Sequence, residues 1–533
     1  MSADLIIRGG RVFTADNQSP FTTAVAVTGA TFTALGDEAE SLAGPGTRVL
    51  ELDGGMATPG FIDAHVHPGT SGLDILRCHF PDHSDADGAV RAIAEYAKAN
   101  PDVPWILGAG WRQSWFERGC PAKELIDRVV PERPVLLENS DGHGAWVNSK
   151  SLEIAGIGPG THDPPDGRIE RLADGSPQGT LHEGAIALVL QHAPPNTTDD
   201  FMAGLRRGQQ ELLRWGITGW QDANVGPELH EAYLRLAESG ELTARVVGAM
   251  WWDRDRGLDQ IDDLIERRLN IGPRFKPTSV KLMLDGVAEN FTGSMLEPYL
   301  DADGNPTDNR GIDFIDPMEL REIVSRLDAN GFQCHFHAIG DGAVRSALDA
   351  IGAAIERNGR NDHRHHVSHL QVVHPDDIPR FGELGAVANA QPLWACGDEY
   401  QTELTIPFLG AERASWQYPF GSLVRAGARI GMGSDWGVST ANVMEEIDVA
   451  VTRVGDTGKP LNPSEAMNPF DALTAFTAGS AYINHSEETS GRIAVGMLAD
   501  LAVLDRDPLV DAPFREVRVK ATIIGGEVVY EEV

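Results

Sequence analysis

Hydrophobic and polar positions change rhythm along the chain. Residues 4 to 53 alternate over short stretches, "DLIIRGGRVFT", "FTTAVAVTGATFTALG" and "TRVLELDGG", each broken after a few residues by Gly or Asp. β-Branched residues in period two with such breaks predict the strands of a small sheet. The C-terminal stretch repeats the style in "RIAVGMLADLAVLD" and "EVRVKATIIGGEVVYEEV". Neither end has enough apolar surface for a core of its own. They are therefore expected to form one discontinuous β-sandwich from residues 1–58 and 481–533.

From about residue 200 the period becomes helical. "DDFMAGLRRGQQELLRWG" places its apolar side chains on one helix face and stops at Gly216, and "ITGWQDA" follows as a strand. The unit recurs as "ELHEAYLRLAESG" with "ARVVGAMW", and as "PMELREIVSRLDANG" with "FQCHFHAIGDG". It returns in "AVRSALDAIGAAIERNG" with "HHVSHLQVV", "PDDIPRFGELG" with "AVANAQPLW", and "PFGSLVRAG" with "ARIGMGSDWG". Such alternation predicts an α/β protein whose parallel strands close into a (β/α)8 TIM barrel over residues 59–480. Residues 84–200, with "GAGWRQSWFERG" and "PVLLENSDGHGAWVNS", do not keep the rhythm and read as an insertion after the first barrel strand.

Composition narrows the function. The 533 residues are 41% hydrophobic and 23% charged, as in a folded soluble protein, and 44 basic against 79 acidic side chains give a formal charge of −35. That balance opposes binding to nucleic acid or to an anionic membrane. The four cysteines, Cys78, Cys120, Cys334 and Cys396, show no CxxC spacing, so no disulfide framework is expected. "MSADLIIRGG" meets a charge and two glycines too early for a signal peptide, and no apolar run approaches the roughly 20 residues of a membrane span. A cytoplasmic location is the expectation.

In such a barrel, chemistry belongs where strands end. Five predicted ends carry side chains able to bind metal: His65 and His67 in "FIDAHVHPG", Lys281 in "SVKLMLDG", His337 in "HFHAIGDG", His369 in "VSHLQ", and Asp435 in "GMGSDWG". Period two puts His65 and His67 on one strand face, and Lys281, Met283 and Asp285 on another. Each has an ordinary reading as well. Histidine is common at strand ends, Lys281 is as consistent with an edge residue snorkelling to water, and Asp435 with a helix cap. His335 shares a face with His337 but lies a layer deeper and reads as packed or as a support behind the ligands, and the "HRHH" run at 363–366 as a solvated loop without a ligand. Five strand ends delivering nitrogen or oxygen to one barrel mouth are hard to obtain by packing alone.

Taken in order, "PGFIDAHVHPG", "DGHGAWVNS", "VKLMLDG", "HAIGDGAV", "SHLQ", "QPLW", "GSDWGV" and "GRIAVGMLADLAVLDRDPL" resemble the amidohydrolase superfamily, in the YtcJ-like branch that includes N-substituted formamide deformylase. The resemblance covers nearly the whole chain. It implies that His65, His67 and Asp435 bind the more buried metal and that His337 and His369 bind a second. Lys281 falls where binuclear members carry a carbamylated lysine bridging two ions, here expected to be zinc. A buried lysine suits that role, because its lowered pKa supplies the neutral amine that adds carbon dioxide. One position departs from the pattern. The family usually has Glu before the histidine of strand six, where this chain has Ser368. The charge beside the ligands, and with it substrate choice, is what that change touches.

The implied reaction is hydrolysis by a hydroxide that the metal makes available at neutral pH, with Asp435 passing the proton to the leaving nitrogen. His143 in "DGHGAWVN" is the candidate donor to the developing oxyanion, with an equal claim to ordering its own loop. Trp111, Trp115, Phe116, Trp146, Trp394 and Trp416 fall in predicted loops where several can line a pocket. No cluster of Arg or Lys accompanies the ligand motifs. The expected substrate is thus a small neutral amide, such as an N-substituted formamide. The alternatives are an N-acyl amino acid, a carbamate, or a catalytically silent regulatory or binding protein on the same barrel. The only macromolecular partner expected is a second copy of the chain in a homodimer.

Overall fold

The computed structural model describes residues 2–80, 84–455, 457–510 and 513–532. At its centre lies an eight-stranded parallel sheet whose strands follow one another in chain order. They are β1 (Phe61–Val66), β2 (Ile217–Val225), β3 (Arg245–Trp251), β4 (Phe275–Met283), β5 (Gln333–Ala338), β6 (His366–His369), β7 (Val387–Ala390) and β8 (Arg429–Met432). The sheet closes just beyond β8, where Asp435 N donates to His65 O at 2.7 Å and His67 N to Trp436 O at 2.9 Å. Gly433 permits that approach, since a Cβ there would stand 2.4 Å from His65 N.

Alternation along β4 separates its faces as the sequence predicts. Val280, Leu282 and Leu284 join the apolar layer beneath the outer helices, and Lys281 turns inward. Helix α1 (Pro68–Ile75) leaves β1 directly after His67, and α2 (Thr198–Arg214) leads into β2. A capping box starts α2: Thr197 accepts from the Asp200 N–H while the Asp200 carboxylate accepts from the Thr197 N–H. Among the described residues, no helix is long and apolar enough to cross a membrane.

The two chain ends share a sheet. Strand Met56–Pro59 runs antiparallel to Leu501–Leu504, flanked by Arg11–Phe13 on one side and Val519–Ile524 on the other. A four-stranded N-terminal sheet packs on it, with Leu5, Ile7, Val27, Phe32, Leu501, Val503 and Ile523 between them. This is the discontinuous sandwich expected from the alternating ends.

Between β1 and β2 the insertion forms a six-stranded mixed sheet, from Cys78–His79 at one edge to Gly167–Arg171 at the other. Here the structure corrects the placement of two tryptophans. Trp111 and Trp146 lie in strands of this sheet, fully buried, with Trp111 Nε1 donating to Leu137 O at 2.7 Å. The reason is burial on both faces: Leu137 and Trp146 pack into one apolar cluster, their neighbours Leu136 and Ala145 into another. A strand covered on both sides shows no alternation to read.

The crossing of α1 and α2 generates a stability prediction. A Cβ on Gly72 would fall 1.9 Å from Gly204 O, and one on Gly208 would fall 2.2 Å from Pro68 O, so the helices meet backbone to backbone. Gly72→Ala should therefore lower the unfolding free energy by about 1–3 kcal/mol through overpacking. Gly46→Ala, where a Cβ meets nothing within 4 Å, should leave it nearly unchanged. Denaturant unfolding of the two variants measures the difference, and equal midpoints would show that the helices separate at no cost.

Candidate metal centre

Strand geometry brings the two ends of the barrel chain together. His65 Nε2 lies 3.4 Å and His67 Nε2 3.2 Å from Asp435 Oδ1, and His369 Nδ1 lies 3.9 Å from Asp435 Oδ2. The two shorter distances match the edge of a tetrahedron around a zinc-sized ion, about 3.3 Å for ligand bonds near 2.0 Å. Asp435 Oδ1 and His369 Nε2 are buried with no hydrogen-bond partner. A lone buried carboxylate oxygen and ring nitrogen are costly, and a cation bound among them removes that cost. Backbone conformation aims these groups: Asp435, His369 and Leu370 have φ of 54°, 73° and 56°, a region that L-residues hold only when the surroundings demand it. The residues fit a divalent ion.

Lys281 reaches the same point, with Nζ 3.3 Å from His65 Nε2 and the side chain almost fully buried. Burial pulls its pKa down to about 7 against the opposing charges of Asp435 and Asp222, so a neutral amine is available near neutral pH. His337 stacks edge-on against His369 with ring centroids 4.5 Å apart, and its Nδ1 is 3.2 Å from Asp285 Oδ1. Asp285 also accepts backbone N–H groups from Ser294, Ile339 and Gly340 at 2.9–3.0 Å. Burial still pushes its carboxyl up to about 8. Burial, reinforced by neighbouring cationic groups, holds His65, His337 and His369 well below the usual imidazole range, so these rings keep lone pairs for a metal.

His143 arrives from the insertion. Its ring lies 5.5 Å from that of His337, and Nδ1 is 2.8 Å from Glu183 Oε2. Glu183 in turn accepts from Thr292 Oγ1 at 2.7 Å, and Asn290 Nδ2 donates to His143 O at 3.1 Å. These contacts dock the insertion on the loop after β4. Burial opposes charging the His143 ring, but Glu183 and Asp141 outweigh it and raise the pKa to about 9.

All six predicted ligand positions and His143 thus meet at the C-terminal end of the barrel. Three groups in this region escaped the sequence reading. Glu183 and Asp63 carried no local signal. Asp285 was visible only as sharing a strand face with Lys281. Two further readings change. His365 and His366, read as part of a solvated loop, are buried: His365 Nδ1 accepts from Cys334 N, and His366 bonds Gln221 and Asn389 inside the barrel. The remaining aromatics pack rather than cluster. Trp115 and Phe116 lean on the insertion core, Trp394 on the barrel core, and Trp416 against the ring of His374.

Imidazoles, a carboxylate and a buried lysine at the C-terminal rim of a (β/α)8 barrel define a metal-dependent hydrolase. The model of the amidohydrolase family matches residues 48–530, and the chain belongs to that family. It is 30% identical to Protein LONG AFTER FAR-RED 3 of Arabidopsis thaliana over 99% of this chain and 92% of that protein. It is 29% identical to N-substituted formamide deformylase of Arthrobacter pascens over 99% of this chain and 98% of that one. Among solved structures, an uncharacterized metal-dependent hydrolase from Pyrococcus furiosus superposes with a TM-score of 0.73 at 25% identity, covering 95% of this chain and 99% of its own.

The His143–Glu183 pair makes a pH prediction. A folded-state pKa raised to about 9, against about 6.5 for a free imidazole, stabilises the fold fully below about 6.5. That contribution is lost as pH rises through about 9. In Glu183→Gln the carboxylate charge is gone and burial dominates, so His143 should titrate below its wild-type position. NMR titration of the metal-free proteins follows the ring directly. An unmoved His143 titration would show that Glu183 does not hold its charge.

Proposed function

We propose that the protein hydrolyses the C–N bond of a small neutral amide, of the N-substituted formamide kind, at a centre of two zinc ions. The observation that carries this reading is Asp435: a buried carboxylate with one oxygen unpartnered, set among the nitrogens of His65, His67 and His369. In this reading His65, His67 and Asp435 would hold one ion and His337 and His369 the other, with Lys281, as a carbamate, supplying a further oxygen ligand. When bound, the ions supply an acidified water and a Lewis acid at neutral pH.

The chain's own residues do the rest. Asp435, facing two imidazoles through one oxygen and a third through the other, takes a proton from the attacking water and passes it to the leaving nitrogen. His143, kept charged by Glu183, offers its second ring N–H to the carbonyl oxygen as negative charge develops there. The side chains bonded to His337 and His143 are the acids Asp285 and Glu183, not guanidinium groups, which suits a neutral substrate. Similarity to the formamide deformylase over almost the full length supports the same class.

A screen of formamides, anilides, N-acyl amino acids and carbamates on metal-reconstituted protein tests the substrate class. Formamides should be turned over best. Preference for acyl amino acids or carbamates would move the assignment within hydrolases, and no turnover at all would favour a silent binding protein. Asp435→Asn should fold, keep most of its metal and lose at least about a hundredfold in turnover, as loss of a general base predicts. His65→Ala should lose metal and activity together. Under native conditions the mass of the zinc-loaded protein should exceed that of the sequence plus its bound zinc by one carbon dioxide, and that excess should be absent from Lys281→Ala.

A further inference from the structure

Beneath the ligands, the barrel holds a chain of polar side chains whose ends are backbone atoms. Gln333 Nε2 donates to Ile483 O at 2.8 Å and Arg364 O at 3.0 Å, which fixes its amide orientation. Its Oε1 therefore faces Gln221 and accepts from Gln221 Nε2 at 3.2 Å. Gln221 Nε2 also reaches Asn484 Oδ1 at 3.0 Å, so its own carbonyl oxygen must face the rings of His335 and His366.

A second chain reaches the same atom independently. His369 N donates to Gln391 Oε1 at 2.7 Å, so Gln391 Nε2 donates to Asn389 Oδ1 at 3.1 Å. Asn389 Nδ2 then serves Ala64 O at 2.9 Å and His366 Nδ1 at 3.1 Å. His366 must carry its proton on Nε2, which donates to Gln221 Oε1 at 3.0 Å.

With Gln221 Oε1 an acceptor, His335 Nδ1, 2.6 Å away, carries a proton, and the neutral ring has its lone pair on Nε2. That lone pair lies 2.8 Å from His65 Nδ1, which must then be the donor. Ser368 Oγ stands 2.9 Å from both atoms and can accept from one while donating to the other. A carboxylate at position 368 could accept but not donate.

From this network we propose that Gln221 and His335 are positioning residues that lock His65 in its Nδ1–H tautomer, so that the Nε2 lone pair always faces Asp435 and Lys281. The inference rests on the proposed metal centre and deepens it. Outer partners of this kind typically contribute about 10–100-fold in metal affinity.

The test measures zinc dissociation constants of apo-protein by chelator competition, with thermal melting of the metal-free protein as a fold control. His335→Leu removes the acceptor and should weaken zinc binding about 10–100-fold. His335→Gln, which has an acceptor and a donor of its own, should recover most of that loss; filling space alone would not distinguish Gln from Leu. Gln221→Met cuts both chains without touching His65 and should weaken binding in the same range, even if His335→Leu fails to fold. Wild-type affinity in Gln221→Met or in folded His335→Leu, or equal loss in the Gln and Leu variants, would overturn the relay. Wild-type protein that binds no divalent ion would instead overturn the metal centre itself.

Discussion

Asp435 gives its backbone N–H to the carbonyl of His65, and the backbone carbonyl of Trp436 takes the N–H of His67. The hydrogen bonds that close the barrel thus run through residues whose side chains meet inside it. Asp63 braces the seam, accepting from Ser434 N and Oγ at 3.0 and 2.5 Å and from His65 N at 3.1 Å. Its carboxyl is pushed up to about 7 by burial, which these donors resist. A residue larger than glycine at 433 would hold β8 away from β1. Closing the barrel and assembling the site are therefore one event, although His65 and Asp435 stand at opposite ends of the barrel sequence.

Closure alone would not keep the ligands oriented. Barrels of this kind usually fill their interior with branched apolar side chains. Here the layer under the site is Gln221, Gln333, His335, His366, Ser368 and Asn389, all buried. Such a layer is tolerated only when donors and acceptors match throughout, because an unmatched polar atom in low dielectric is costly. Matching all of them leaves little choice of tautomer or amide rotation. Rigidity at the site thus follows from the polarity of its support.

What was legible in the sequence was periodic or local. Helix faces, strand ends, and the shared style of the two termini each leave a pattern within a dozen or so residues, and the histidines, Lys281 and Asp435 lie on those strand ends. The insertion sheet left none, because Trp111, Trp146 and their neighbours are covered on both faces. Glu183 was invisible for another reason: its meaning depends on pairing between strands, which sets Glu183 opposite Gly167 and brings Gly144, beside His143, opposite His182. Gln221 is likewise ordinary in sequence, and His335 showed only that it shares a face with His337 one layer deeper. Their role exists only because β2 and β5 face one another across a closed barrel.

The electrostatics of this interior follow from the same closure. Burial raises the carboxyls of Asp63, Asp222 and Asp285, and holds the imidazoles of His65, His335, His337 and His369 well down. Acids pushed up and bases pushed down are both responses to low dielectric. They answer a divalent cation in complementary ways. Its field favours ionised Asp63, Asp222 and Asp285, and the neutral imidazoles present lone pairs without first releasing a proton. A second positive side chain would compete with the ion, so Lys281 is most useful when its charge is absent or reversed, and its pKa of about 7 allows the former. Ser368 fits the same logic: a fixed anion there would favour a protonated His335, and a protonated His335 could no longer accept from His65. Where the resemblance implies a glutamate, Ser368 can accept from His65 and donate to His335 without adding a charge.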